Sequence, residues 1–291
     1  MRTILVTGAN KGIGFAIAKG IVAEHDDTLL LLGSRDRERG EAAVQALVEA
    51  VPGADGRAAL VEIDVASDDS VAAAAKAVQT RSDVDSLHGL VNNAGVGAGS
   101  LSQVLNVNTR GVHRVCEAFI PLLDPQHGRV VNVTSAAGPN FVAECSEGMK
   151  RFFLDGGTEW EDLDRLMREA VAMEGNAEAF QKRGLGNGAA YGLSKACANT
   201  YTLQLARRFP GLTINACTPG FIETDMTRPL AESQGKSPAD FGMKPPEDGA
   251  RSALHLLFGE VRGSGRYYGS DCKRSPLDRY RAPGAPEYSG D

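Results

Sequence analysis

The chain has 291 residues, 42% of them hydrophobic and 23% charged, enough to bury the core of one large α/β domain. Its formal charge is −6 with no block of like charge, which excludes an extended surface for nucleic acid or an anionic membrane. Five cysteines (Cys116, Cys145, Cys197, Cys217 and Cys272) are scattered, with no C-x-x-C and no histidine at ligand spacing; free thiols, a reducing cytoplasmic compartment and no metal are expected.

Strand and helix patterns alternate from the start. The apolar run TILVT (3–7) reads as a strand, entered too early for a signal peptide to be expected, and Ile13, Ile17 and Ile21 follow at helical spacing. LLLL (29–32), the heart of the longest apolar run, is far too short to span a bilayer and fits a buried strand before a helix at 37–50. A strand at 59–65 precedes a helix at 67–79, where Ser67 can cap the first turn and Asp68 and Asp69 sit at its positive end. Strands at 89–95 and 129–135 flank a helix through about 100–123. A helix from Tyr191 feeds a sixth strand at 212–220, a proline-opened helix covers 245–258, and a short strand near 266–269 closes the series. This alternation predicts a single doubly wound α/β domain over 1–291, its mainly parallel sheet having about seven strands. Two stretches stand outside it. Residues 138–188 form a helical insertion with Trp160, Leu163, Leu166, Met167, Val171 and Phe180 on one side, and 274–291 read as an irregular tail.

TGANKGIG (7–14) lies between the first strand and first helix. Gly8, Gly12 and Gly14 there permit a turn with positive φ, close approach of backbone to phosphates, and a helix N-terminus aimed at an anion. The same glycines would also serve a turn that only packs helix on strand. After the second strand, Ser34 and Arg35 occupy the place where an NAD site usually has an acid, with Asp36 one residue later. Arg35 can grip a 2′-phosphate through its planar fork, and Lys11 can add a second charge, so NADPH is the expected dinucleotide. Two solvated surface cations are the alternative. In YGLSK (191–195), Tyr191 and Lys195 are four residues apart on one helix face. A ketone receiving hydride becomes an alkoxide and needs a proton. A tyrosine can supply it, and the ammonium of Lys195 is expected to lower the phenol's pKa.

With the glycine loop, NNAG (92–95) and Y-x-x-x-K in this order, the chain resembles the short-chain dehydrogenase/reductase family from residue 3 to about 258. The resemblance implies that Ser135, in VVNVTSAAG, binds the substrate's carbonyl oxygen beside Thr134. It implies that Asn108, in VNTRG, holds a water that links Lys195 to solvent, Asn106 being the near miss. The implied cofactor contacts are Gly8, Asn10, Lys11, Gly12, Ile13 and Gly14; Ser34 and Arg35; Asp64 and Val65 near the adenine; Asn92, Ala94 and Gly95 along the cleft. Tyr191 and Lys195 join them, as do Pro219, Gly220, Ile222 and Thr224 in TPGFIETDM (218–226). Tyr191 follows Ser135 by 56 positions, a long insertion that resembles the carbonyl reductase branch, in which the added helices cover a face used elsewhere for assembly. A monomeric NADPH-dependent reductase of small-molecule ketones, aldehydes or quinones is therefore expected. A ketoreductase or alcohol dehydrogenase dedicated to one metabolite is an alternative. So is a non-catalytic NADPH-sensing protein, which would have no need of Ser135, Tyr191 and Lys195 together. The stretch 96–107 is shorter than the family pattern, which leaves the pocket more open or filled by the insertion or tail; Phe221, Phe141 and Trp160 are its candidate walls, with core packing the alternative for each.

Overall fold

A computed structural model describes residues 1–290. Its sheet has the order β3-β2-β1-β4-β5-β6-β7-β8. In chain order the strands are β1 (Arg2–Val6), β2 (Thr28–Ser34), β3 (Ala58–Glu62), β4 (Leu87–Asn92), β5 (Arg129–Val133), β6 (Thr213–Cys217), β7 (Arg266–Tyr268) and β8 (Arg274–Ser275). All pairings are parallel except β7 with β8. All seven residues of β2 are buried, as expected of a strand covered on both faces, which is why it reads as an unbroken leucine run. Successive side chains alternate between two cores. Leu29 and Leu31 face α3 (Asp68–Gln79), α5 (Gly111–Phe119) and α10 (Ala190–Arg208), whereas Leu30 and Leu32 face α1 (Gly12–Glu24), α2 (Arg37–Ala50) and α12 (Pro246–Phe258). Ser67 caps α3 by accepting from Ser70 N at 3.3 Å. Among the described residues no helix is long and apolar enough to cross a membrane.

Three expectations change. The helix expected at 100–123 is broken into α4 (Leu101–Leu105), a π-helical turn at Asn106–Arg110, and α5. The wider turn inserts a residue and swings Asn108 inward, and periodicity does not reveal it. The insertion holds four helices, α6 (Ala137–Ala143), α7 (Glu147–Leu154), α8 (Trp160–Ala172) and α9 (Ala177–Arg183). Its apolar stripe is split between two of them, because Asn176 caps a new helix by accepting from Ala179 N at 3.0 Å and so places Phe180 in α9. The tail is irregular but pinned, and it contributes the eighth strand. Arg281 pairs with Asp271 and donates to Ala285 O at 2.8 Å and Ser275 Oγ at 2.9 Å.

α10 is enclosed between sheet and insertion, with 13 of its 19 residues buried. Trp160 stacks on His113 at 3.6 Å and meets Tyr201 at 5.3 Å, and Phe141 packs edge-on against Phe153 at 6.0 Å. Trp160 locks the insertion onto α5 and α10, and Phe141, which also lies against Gly192 of α10, packs in the core between the insertion and α10.

Candidate active site

The chain leaves β1 through Gly8, whose φ of +63° lies in the left-handed region; a Cβ there would stand 2.9 Å from Ala94 Cα. Gly14 is as confined, since its Cβ would fall 2.3 Å from Gly8 O and 2.4 Å from Asn93 Nδ2. Two residues absent from the sequence expectations hold this turn. Thr7 Oγ1 accepts from Asn93 N (3.0 Å) and Ala94 N (3.2 Å), and Asn93 Nδ2 donates to Thr7 O (3.0 Å) and Gly8 O (3.1 Å). Asn10, Gly12 and Ile13 complete it, each half-buried. The N-terminus of α1 is bare. Lys11 at the N-cap puts no side chain onto the first-turn amides, and no acid stands in that turn. Its unpaired N–H groups and positive dipole end fit a pyrophosphate.

At the end of β2 the Ser34 hydroxyl is buried and donates to Asp36 O at 2.8 Å, so it shapes the turn. Arg35 is exposed and forms no ion pair among the described residues, while Arg37 pairs with Glu62 at 2.9 Å and Arg39 with Asp36 at 3.2 Å. Lys11 does not stand free beside Arg35: its Nζ pairs with Asp225 at 2.7 Å. After β3, Asp64 Oδ1 accepts from Ala66 N at 2.9 Å, and Val65 lies buried against Gly111. Asn92 departs from expectation. Its side chain is buried, donating to Asn132 Oδ1 at 2.8 Å and Cys116 Sγ at 3.2 Å, so it ties β4 to β5, while the residue still borders the small cavity shared by Thr7, Val65 and Ala94. It is the next residue, Asn93, that faces the glycine turn.

Ser135, Tyr191 and Lys195 converge where β5 ends against the start of α10. Ser135 Oγ accepts from Ala137 N at 3.2 Å and lies beside the Tyr191 phenol. Lys195 is buried, its Nζ donating to Val133 O at 3.1 Å and lying 5.7 Å from the Tyr191 ring centroid. Burial draws the ammonium's pKa down to about 8. Burial also pushes the Tyr191 phenol up, the hydrogen bond with Ser135 being the opposing influence. The expectation that Lys195 lowers the phenol's pKa is thus not met: burial is the larger influence. Tyr191 stands protonated at neutral pH, the form that can give a proton.

Asn108 comes within reach of this group from the π-helical turn. A Cβ on Gly95 would lie 3.2 Å from Asn108 Oδ1 and 3.7 Å from Lys195 Nζ. Its amide clamps the strand end: Nδ2 donates to Val96 O (2.9 Å) and Ser194 Oγ (3.1 Å), and Oδ1 accepts from Val96 N (2.9 Å). Asn106 points elsewhere, accepting from Arg114 at 2.9 Å. The shortened stretch before it is closed by the insertion, Glu174 accepting from Leu101 N at 2.6 Å.

Beyond β6, residues 219–230 form a strap over the cleft. Gly220 N donates to Thr218 Oγ1 at 3.2 Å to start the turn after Pro219. Ile222 is buried, meeting Ile13 beneath Gly249, and its carbonyl accepts from Thr227 Oγ1 at 2.6 Å; its side chain anchors the strap. The Thr224 methyl comes within 3.5 Å of where a Gly12 Cβ would be, and the Met226 side chain lies against Gly97. Phe221 is exposed beside Phe241 at 5.8 Å. The strap thus touches the glycine turn on one side and the loop after β4 on the other.

This architecture has relatives. A family model described as short chain dehydrogenase matches residues 2–146. The chain is 33% identical to the NADPH carbonyl reductase 3 of Rattus norvegicus, over 88% of this chain and 91% of that protein. The chain belongs to the short-chain dehydrogenase family. It is also 32% identical to the (+)-neomenthol dehydrogenase of Arabidopsis thaliana, over 81% of this chain and 89% of the relative. Among solved structures, salutaridine reductase from Papaver somniferum superposes with a TM-score of 0.76 at 26% identity, covering 92% of this chain and 99% of that one. Menthone neomenthol reductase from Mentha piperita gives 0.74 at 26% identity, covering 92% and 98%.

Proposed function

We propose that the protein reduces ketones, aldehydes or quinones to alcohols with NADPH, Tyr191 giving the proton. The observation that carries this reading is the meeting of Ser135, Tyr191 and the buried Lys195 at one end of the sheet, across from the uncapped N-terminus of α1. Relatives named as NADPH carbonyl reductases and as reductases of plant ketones support it.

The cofactor's pyrophosphate would lie on the α1 amides, its 2′-phosphate by Arg35, and its ribose hydroxyls within reach of Lys195. When bound it supplies a hydride to the carbonyl carbon. Ser135 donates to the carbonyl oxygen and stabilises the charge that builds there. Tyr191 passes its phenolic proton to that oxygen as the alcohol forms, and Lys195, still an ammonium at neutral pH, holds the phenolate that results. Asn108 keeps the backbone at Val96 in place, and its remaining lone pair or carbonyl can hold the water through which Tyr191 is reprotonated.

The protein acts as a monomer in a reducing cytoplasm. The insertion supports the first point: Trp160, and Glu159 through its bonds to Gln204 and Arg207, cover α10, a face that assembly would otherwise need. Gel filtration should give a mass near 30.7 kDa, and a dimer mass would contradict it. The activity is tested by NADPH oxidation across quinones, aromatic aldehydes, dicarbonyls and simple ketones, with NADH in parallel. Turnover of several carbonyls with NADPH is expected; tight NADPH binding without turnover of any of them would overturn the reading.

A further inference from the structure

The sequence sets Lys11 beside Arg35 as a pair of cations for one phosphate, yet in the fold the two differ. Arg35 is exposed and unengaged among the described residues, whereas Lys11 reaches Asp225, 214 positions away on the strap that touches Gly12, at 2.7 Å. Both members of that pair are open to water, with exposures of 61% and 59%, so the contact is readily exchanged. Asp225 has a second partner on its own segment: Arg228 Nη1 donates to it at 2.8 Å, and Arg228 also pairs with Glu223 at 2.9 Å. If Lys11 leaves, Asp225 keeps a cation and is not stranded. Lys11, in turn, lies at the N-cap of α1, where its flexible stem can swing within the glycine turn.

We propose that Asp225 is a specificity-determining residue that competes with the cofactor's 2′-phosphate for Lys11. The inference rests on the reading of this cleft as an NADPH site. With NADPH the phosphate draws Lys11 from Asp225, and the carboxylate falls back on Arg228. With NADH there is no 2′-phosphate, and Lys11 stays on the strap. Asp225 therefore subtracts from NADPH affinity while leaving NADH affinity alone, and it moderates a preference that Arg35 establishes. The same exchange ties the strap to the identity of the cofactor. Thr224 rests on Gly12 and Met226 on Gly97 in either case, but the Lys11–Asp225 tie is kept only when the 2′-position is a hydroxyl.

The test is a fluorescence titration of purified protein with NADPH and with NADH, in low salt, for the parent, Asp225→Asn, and Asp225→Asn with Lys11→Met. Asparagine keeps the shape of an exposed side chain, and a melting curve verifies the fold. Freeing Lys11 should tighten NADPH by about 1.4- to five-fold, the range spanned by exposed ion pairs, with NADH unchanged. Adding Lys11→Met should erase the gain and leave NADPH weaker than in the parent. NADPH affinity that stays constant or falls in Asp225→Asn, or NADH affinity that moves equally, would overturn the competition. Arg35→Asp separates this from the reading beneath it: loss of NADPH preference upholds the 2′-phosphate site whatever Asp225 does, and an unchanged preference would sink both.

Discussion

Replacing Lys195 with methionine removes an ammonium that the fold has enclosed, and the cost of that enclosure can be worked out. Burial lowers its pKa from 10.5 to about 8, a difference of about 2.5 units. At about 1.36 kcal/mol per unit, the native state gives up about 3 kcal/mol to keep this group charged at neutral pH. The unfolded chain holds the proton up to pH 10.5, while the folded one releases it near 8. Stability from this group therefore rises with pH across that window, and below it the full cost is present. Urea denaturation of the cofactor-free parent and of Lys195→Met should be compared at pH 7 and near pH 10.5. Any stability advantage of the variant over the parent should shrink by about 3 kcal/mol between the two, and the variant should not turn over carbonyls. A difference that stays constant with pH would show that the ammonium is not buried as described.

The same titration predicts that carbonyl reduction falls as pH rises through about 8, because a neutral Lys195 no longer holds the phenolate. A flat profile to pH 9.5 in steady-state assays would count against that role. Ser135→Ala should lower kcat by about 10²-fold or more while NADPH titration is unaffected, and unchanged kcat would remove the hydroxyl from the mechanism. Gly14→Ala would force a Cβ to within 2.3 Å of Gly8 O, so the turn must shift. A loss of about 1–3 kcal/mol in denaturation and weaker NADPH binding are expected, and a variant with parental affinity would show the turn to be pliant.

The sheet was legible because its strands are covered on both faces: runs such as LLLL need no partner to be recognised, and the glycine turn announces itself by position. Contacts between distant elements were not. Asn92 and Asn93 are indistinguishable as letters. What separates them is strand parity: Asn92, the last residue of β4, points with Leu90 toward α5, and Asn93, one step beyond the strand, turns to the glycine loop. Lys11 beside Arg35 looked like a pair, and only folding brought Asp225 to the former. The i and i+4 spacing of Tyr191 and Lys195 gave their common face but not their burial. It is burial that sets the protonation of both. In the insertion the apolar spacing continued across the cap at Asn176, so one stripe concealed two helices.

Tyr191 donates the proton, in this reading, from a site otherwise built to bind cofactor and substrate. Tyr191→Phe removes one oxygen from a ring held between sheet and insertion, and it leaves the glycine turn, Arg35 and Ser135 in place. The direct measurement is NADPH affinity together with single-turnover reduction of an aromatic aldehyde or quinone by this variant. Parental NADPH affinity with reduction slowed by about 10²-fold or more is the predicted result. Reduction at the parental rate would contradict the account and move the proton donor elsewhere.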